Sequence, residues 1–172
     1  MAAAKVAFAE RGADVALEEI ARRAGLGIGT LYRHFPTREA LLAAVYRREV
    51  EQLAAAADRL LAERPPLAAL QAWLGQLVDY LATKRVVAPA LQASPGGEGS
   101  AAYAAGGAAV ADAMRRVMEA ALASGEMRAD VTPDDLMRLL AGIAQGYDRP
   151  DWAPSARRLI AVLVAGLRAP AA

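Results

Sequence analysis

Arg33, Tyr32, Thr30 and His34 sit within five residues of one another in the stretch Gly25-Leu26-Gly27-Ile28-Gly29-Thr30-Leu31-Tyr32-Arg33-His34-Phe35. A guanidinium can donate two parallel hydrogen bonds to a guanine edge. Hydroxyls and an imidazole can hydrogen-bond phosphate oxygens. These types on one short helix suit a nucleic-acid groove, provided that the apolar residues fall on the other side. At about 100° per residue they do. With Leu31 at the centre of the packed side, Phe35 and Ile28 lie within about 60° of it. Gly29 and Arg33 then lie opposite, Thr30 and Tyr32 occupy the two flanks, and His34 lies nearer the packed edge. Arg33 is the expected base reader, Gly29 lets the backbone come close, and Thr30 and Tyr32 are expected on phosphates.

A short helix needs a support. Leu17, Ile20, Ala21 and Ala24 recur at i, i+3, i+4 and i+7, which predicts a helix over 16–24 with one apolar stripe. Glu18 with Arg22 and Glu19 with Arg23 are favourable i,i+4 pairs. Ala21, Gly25 and Leu31 have helix-turn-helix spacing: a small residue at the close approach, a glycine in the turn and a leucine packed between the helices. Gly27 and Ala16 offer no capping hydroxyl. Ahead of this pair, residues 2–10 read as a short helix. After it, Pro36 is a stop, Thr37 a cap and Glu39 a first-turn acid. Arg38 beside that helix start is expected to be a further phosphate anchor. The next helix is expected from 38 to 63, ended by Arg64-Pro65-Pro66.

The rest is helical by pattern. Leu67, Leu70, Trp73, Leu74, Leu77, Tyr80 and Leu81 mark a helix over 67–83, and Pro89 is expected to interrupt the helical pattern beyond it. Residues 94–100 read as a loop, 101–124 as a helix with Gly106-Gly107 as a weak point, and Gly125 as its end. Thr132-Pro133-Asp134-Asp135 starts another helix, and a last one spans about 154–167. No strand pattern or repeat is visible.

Composition agrees. The chain has 172 residues, 56% hydrophobic, 23% charged and 5% aromatic, with no cysteine and one histidine. The alanine and leucine richness favours helix. Without cysteine there is no disulfide framework or thiolate chemistry, and one histidine argues against a histidine metal site. No catalytic residue, metal or other cofactor is expected: the chain lacks a glycine-rich phosphate loop after a strand, a nucleophile–base set and a plausible carboxylate pair. The net charge of +1 excludes a generally basic coat protein. Residues 1–50 carry 8 Lys/Arg and 6 Asp/Glu, a net of 8 − 6 = +2, against 12 − 13 = −1 for 51–172. No signal-peptide layout and no long apolar run appear, so a cytoplasmic protein with no membrane partner is expected.

The segment Leu17 to Tyr46 resembles the DNA-binding domain of the TetR family of bacterial transcriptional regulators. The resemblance rests on Glu19-Ile20-Ala21, Ala24-Gly25, Gly29 to Phe35 and Thr37-Arg38-Glu39-Ala40-Leu41-Leu42. The remainder resembles an SbtR-like C-terminal domain, through Arg64-Pro65-Pro66-Leu67, Asp79 to Arg85, Gly125 to Val131 and Ala141-Gly142-Ile143. The resemblance implies an all-α fold with an N-terminal three-helix helix-turn-helix domain at 1–46. It implies a helical effector-binding and dimerisation domain at 47–172. It implies phosphate contacts for Thr30, Tyr32, His34, Thr37 and Arg38, and base-facing positions for Ile28, Gly29 and Arg33. Family members usually carry more residues ahead of the first helix, often basic ones.

It further implies a double-stranded DNA operator, a small-molecule effector and a homodimer, the chain acting as a repressor released by its effector. Trp73, Gln76, Leu77, Tyr80, Tyr103, Met114, Met118 and Tyr147 are the candidates for the effector pocket, apolar with a few polar groups. Leu136, Leu140, Ile143, Leu159, Val162, Leu163 and Leu167 are the candidates for the dimer interface. Ala141, Gly142, Ala161, Ala165 and Gly166 among them would let helices of two copies approach closely. The rival reading is a helical binding protein for an apolar small ligand with a vestigial DNA-binding domain.

Overall fold

The computed structural model describes residues 1–93, 96–144 and 151–169. Among them are eight helices, α1 (Ala2–Arg11), α2 (Leu17–Arg23), α3 (Ile28–His34), α4 (Arg38–Glu63), α5 (Pro66–Gln92), α6 (Glu98–Ala123), α7 (Pro133–Ala144) and α8 (Trp152–Leu167), and no strand. The all-α class and the helix-turn-helix at the N-terminus stand. Most helices begin and end within a few residues of their signals. Gly12, Gly25 and Gly125 close α1, the turn after α2, and α6 with positive φ, which suits a residue without a Cβ.

Two expectations are corrected. Pro89 does not interrupt α5, which continues to Gln92. Val87 and Leu91, on either side of it, are fully buried, and that packing outweighs one lost backbone bond near the helix end. Helix α6 starts at Glu98 and passes through Gly106-Gly107 without a break.

Packing divides the chain into two compact units. One comprises Met1–Glu51 with Ala82–Ala108; the other comprises Gln52–Leu81 with the residues from Ala109 onward. The packed units each draw on α4, α5 and α6 and so do not follow the expected boundary at 46/47.

In the first unit, Phe8, Ile20, Leu31, Leu41, Leu42, Val45 and Tyr46 are buried together with Ala4 and Ala7. Lys5 of α1 donates to the nearly buried Glu49 of α4 at 2.5 Å. The Tyr46 ring stacks on Tyr103 of α6 with centroids 5.7 Å apart. Gly106 makes this approach possible. A Cβ there would stand 2.6 Å from Tyr46 Cε1.

In the second unit, Trp73, Leu70, Leu74, Leu60, Leu67, Met114, Val117 and Met118 are buried. Trp73 donates its indole N–H to the carbonyl of Leu53 at 2.8 Å, so its one polar atom is satisfied inside the core. Helix α7 has a reciprocal cap. Thr132 Oγ1 accepts the N–H of Asp135 at 3.2 Å, and the Asp135 carboxylate accepts the N–H and hydroxyl of Thr132 at 3.1 and 2.7 Å. The Asp135 carboxyl is held below the usual carboxylate range, chiefly by the Thr132 hydroxyl and then by the Thr132 N–H. Beyond α6, Met127 and Arg168 form an isolated antiparallel bridge, closed by Arg128 N–H to Leu167 O and Ala169 N–H to Glu126 O, both 2.9 Å.

Candidate nucleic-acid interface

The α2–α3 pair has the geometry of its spacing. Ala21 is 2% exposed, and its carbonyl accepts the N–H of Leu26 at 2.9 Å, which winds the chain through Gly25 at φ 68°. Helix α3 then starts without a side-chain cap at Gly27. Leu31 is its one buried residue, at 4%. Ile28, Thr30 and Phe35 are half-buried, whereas Gly29, Tyr32, Arg33 and His34 are exposed. The outer side of α3 thus presents a glycine backbone, a phenol, a guanidinium and an imidazole. His34 is further out than a helical wheel places it, its ring inclined at 48° to that of Phe35 with centroids 6.3 Å apart.

Charges around the pair are divided between structure and surface. Arg23 is occupied: it donates to Glu19 at 2.6 Å and to Glu10 of α1 at 2.5 Å. Those bonds, Glu10 first, raise its pKa further above its ordinary value, and Arg23 in turn lowers that of Glu19. Arg33 has no ion-pair partner among the described residues and is exposed. Its guanidinium lies on the outer side of α3 with Tyr32 and His34.

The start of α4 is less simple than its sequence. Thr37 Oγ1 caps the helix by accepting the N–H of Ala40 at 3.0 Å and stays exposed. Arg38, expected on phosphate, is half-buried and turned inward. Its Nη1 donates to the carbonyls of Ala13 and Val15, both at 2.7 Å. Those carbonyls lie in the α1–α2 connection, outside any helix, so no sequence period signals that they need a donor.

The comparisons with known proteins converge on this arrangement. Residues 1–45 match the tetR family of bacterial regulatory proteins, and residues 65–169 match the C-terminal domain of SbtR-like transcriptional regulators. A TetR transcriptional regulator from Streptomyces coelicolor is 45% identical, with 99% of this chain and 97% of that one covered at a TM-score of 0.87. This chain belongs to the TetR family. A TetR regulatory protein from Mycobacterium vanbaalenii is 33% identical over 98% of this chain and 92% of its own, at a TM-score of 0.78. An HTH-type transcriptional regulator from Staphylococcus aureus is 37% identical over 57 residues, and that match spans 30% of its length.

The candidate effector residues of this TetR-family chain do not all fall in one packed unit. Trp73, Met114 and Met118 are 0% exposed, Tyr80 3% and Leu77 4%, and Gln76 is half-buried; all six belong to the second unit. Tyr103 belongs to the first unit, where Lys84 Nζ stands 4.9 Å above its ring. Tyr147 lies outside the described residues. An open groove of about 570 Å³ is lined by Met127, Arg128, Ala129, Asp130, Arg168 and Ala169, none of them predicted. Arg128 in that groove is committed to Asp130 at 2.5 Å.

The candidate dimer residues divide as well. Leu136, Leu140 and Leu167 are 0%, 4% and 2% exposed and so belong to the chain's own core. Ile143 and Leu163 are half-buried. Leu159 and Val162 are open, at 50% and 71%, and are joined by Leu139 at 51% and Met137 at 37%.

Proposed function

We propose that this TetR-family regulator is a homodimeric repressor that binds an operator through α3 and leaves it when a small molecule occupies the helices of its C-terminal half. The observation that carries the reading is the division of α3 into a buried Leu31 and an exposed Arg33, Tyr32 and Gly29. Arg33 reads a base edge, and the hydroxyls of Thr30, Tyr32 and Thr37 with the His34 ring hold phosphates on either side. One such helix reads only a half-site, so two copies are needed at a fixed spacing. Leu139, Leu159 and Val162 are the apolar surface for that second copy. The effector is expected among Gln76, Leu77, Tyr80, Met114 and Met118. Its binding shifts α4 and with it the spacing of the two recognition helices, and a ligand can do so only by preferring one spacing.

The test is binding of the full chain to DNA upstream of its own coding sequence, across a range of salt concentrations. Specific binding with a steep salt dependence, by a particle of two chains in sedimentation, is expected. Salt-independent or absent binding would refute the reading and favour a helical small-ligand binder. No helix among the described residues is long and apolar enough to cross a membrane.

A further inference from the structure

Arg38 and Glu39, consecutive residues in the first turn of α4, are committed in two different directions. Arg38 Nη1 reaches the carbonyls of Ala13 and Val15. Neither carbonyl accepts a backbone N–H among the described residues, and Val15 is 6% exposed, so the guanidinium meets a need that water reaches poorly. Glu39 Oε1 accepts the N–H of Gly99 at 3.1 Å, in the first turn of α6. That N–H belongs to a helix start, where it has no partner in its own helix, and the carboxylate also suits the positive end of the helix dipole. A Cβ on Gly99 would stand 2.9 Å from both Glu39 Oε1 and the Leu91 carbonyl, so the contact needs glycine.

We propose that Arg38 is a positioning residue for the DNA-reading surface and not a phosphate ligand, and that Glu39 ties the same turn of α4 to the start of α6. Arg38 braces the α1–α2 connection and therefore α2, on which α3 packs. Through adjacent side chains, the start of α6 and the helix-turn-helix hold the same turn of α4. The inference rests on the reading of the chain as an operator-binding regulator.

Phosphate contact and positioning differ in one measurable quantity. Each phosphate contact contributes about 0.9 to the slope of log affinity against log salt, so two Arg38 side chains on phosphate would contribute about 1.8. Positioning contributes to affinity without changing the slope. Fluorescence anisotropy of the full chain with its operator duplex and with a scrambled duplex separates the two. Arg38→Gln is expected to weaken operator binding about tenfold, as loss of charge-assisted bonds to partly buried carbonyls would. Scrambled-duplex binding and both salt slopes stay as in the wild type. A slope lower by about 1.8, with both duplexes weakened alike, overturns the proposal.

Arg38→Lys gives a milder perturbation. It keeps a charge for phosphate but not the reach and planar fork of the guanidinium, so operator-over-scrambled selectivity is expected to fall. Wild-type selectivity in this variant also overturns the proposal. Glu39→Ala is expected to speed hydrogen exchange at the Gly99 amide severalfold without DNA present, and unchanged exchange there refutes the tie to α6. A wild-type chain that bound both duplexes equally would overturn the functional reading, and this role with it, while leaving the exchange result to stand on its own.

Discussion

Gly106→Ala should not stabilise the protein, although glycine to alanine within a helix is ordinarily favourable. Alanine gains about 0.8–1.0 kcal/mol over glycine in a helix interior. At residue 106 the added Cβ would stand 2.6 Å from Tyr46 Cε1, 2.7 Å from its hydroxyl oxygen and 2.9 Å from Cζ. Carbon atoms in good contact sit about 3.5–4.0 Å apart, so the first overlap is about 1 Å. Tyr46 is 0% exposed and stacked on Tyr103, which leaves the ring no free direction of retreat. Overpacking of this kind costs about 1–3 kcal/mol.

Set against the helix gain, Gly106→Ala comes out between neutral and about 2 kcal/mol destabilising. Gly107 is the internal control, because it is exposed and its Cβ would meet nothing within 4 Å. Gly107→Ala should realise the full gain and raise the melting temperature by about 2–4 °C in a chain of this size. The two neighbours should therefore move in opposite directions, or by clearly different amounts, in paired thermal melts followed by far-UV circular dichroism. Adding Tyr46→Leu should recover part of the loss at 106, a coupling that a double-mutant cycle reads directly. Equal stabilisation by Gly106→Ala and Gly107→Ala would refute the close approach of α6 to Tyr46.

Three other outcomes are expected from the same structure. Arg33→Ala should cost about 1–3 kcal/mol of operator binding and relax base preference at one position of a randomised duplex library; equal loss on all sequences would assign Arg33 to phosphate alone. Trp73→Phe removes the N–H that bonds the Leu53 carbonyl and should lower stability by about 1–3 kcal/mol in urea unfolding, a midpoint equal to wild type ruling the bond out. Thr132→Ala should raise the Asp135 carboxyl pKa toward its ordinary value in an NMR titration. In the wild type the folded pKa is depressed, so the Asp135 contribution is present above its unfolded pKa and fades as pH falls through the folded one. An Asp135 titration unmoved by the substitution would mean that the Thr132 hydroxyl does not hold the carboxylate.

What the sequence can reveal depends on how local the physics is. Helices α2 and α3 are legible because Ala21, Gly25 and Leu31 act within one short stretch, where period and turn chemistry suffice. The inward bonds of Arg38 are not legible in its sequence, because its type and position beside a helix start fit phosphate, while the carbonyls it reaches lie in a connection with no sequence pattern. Gly99 and Gly106 read as loop and weak point because the groups they approach, Glu39 and Tyr46, are about sixty residues away. Pro89 obeys the same logic, since a local rule for breaking helices cannot weigh the burial of Val87 and Leu91.

The last two helices show what a hydrophobic stripe does and does not encode. It identifies residues that avoid water without saying whose atoms cover them. Leu136 and Leu140 on α7 and Ile160 and Val164 on α8 are covered by their own chain, yet Leu139, Leu159 and Val162 remain half or more exposed. A helix apolar on more than one face needs more than one cover. Of the residues selected from sequence, Leu159 and Val162 are left open by their own chain, whereas Leu136, Leu140 and Leu167 are covered by it. The excess apolar face, rather than the stripe itself, is what supports a second copy as the missing cover.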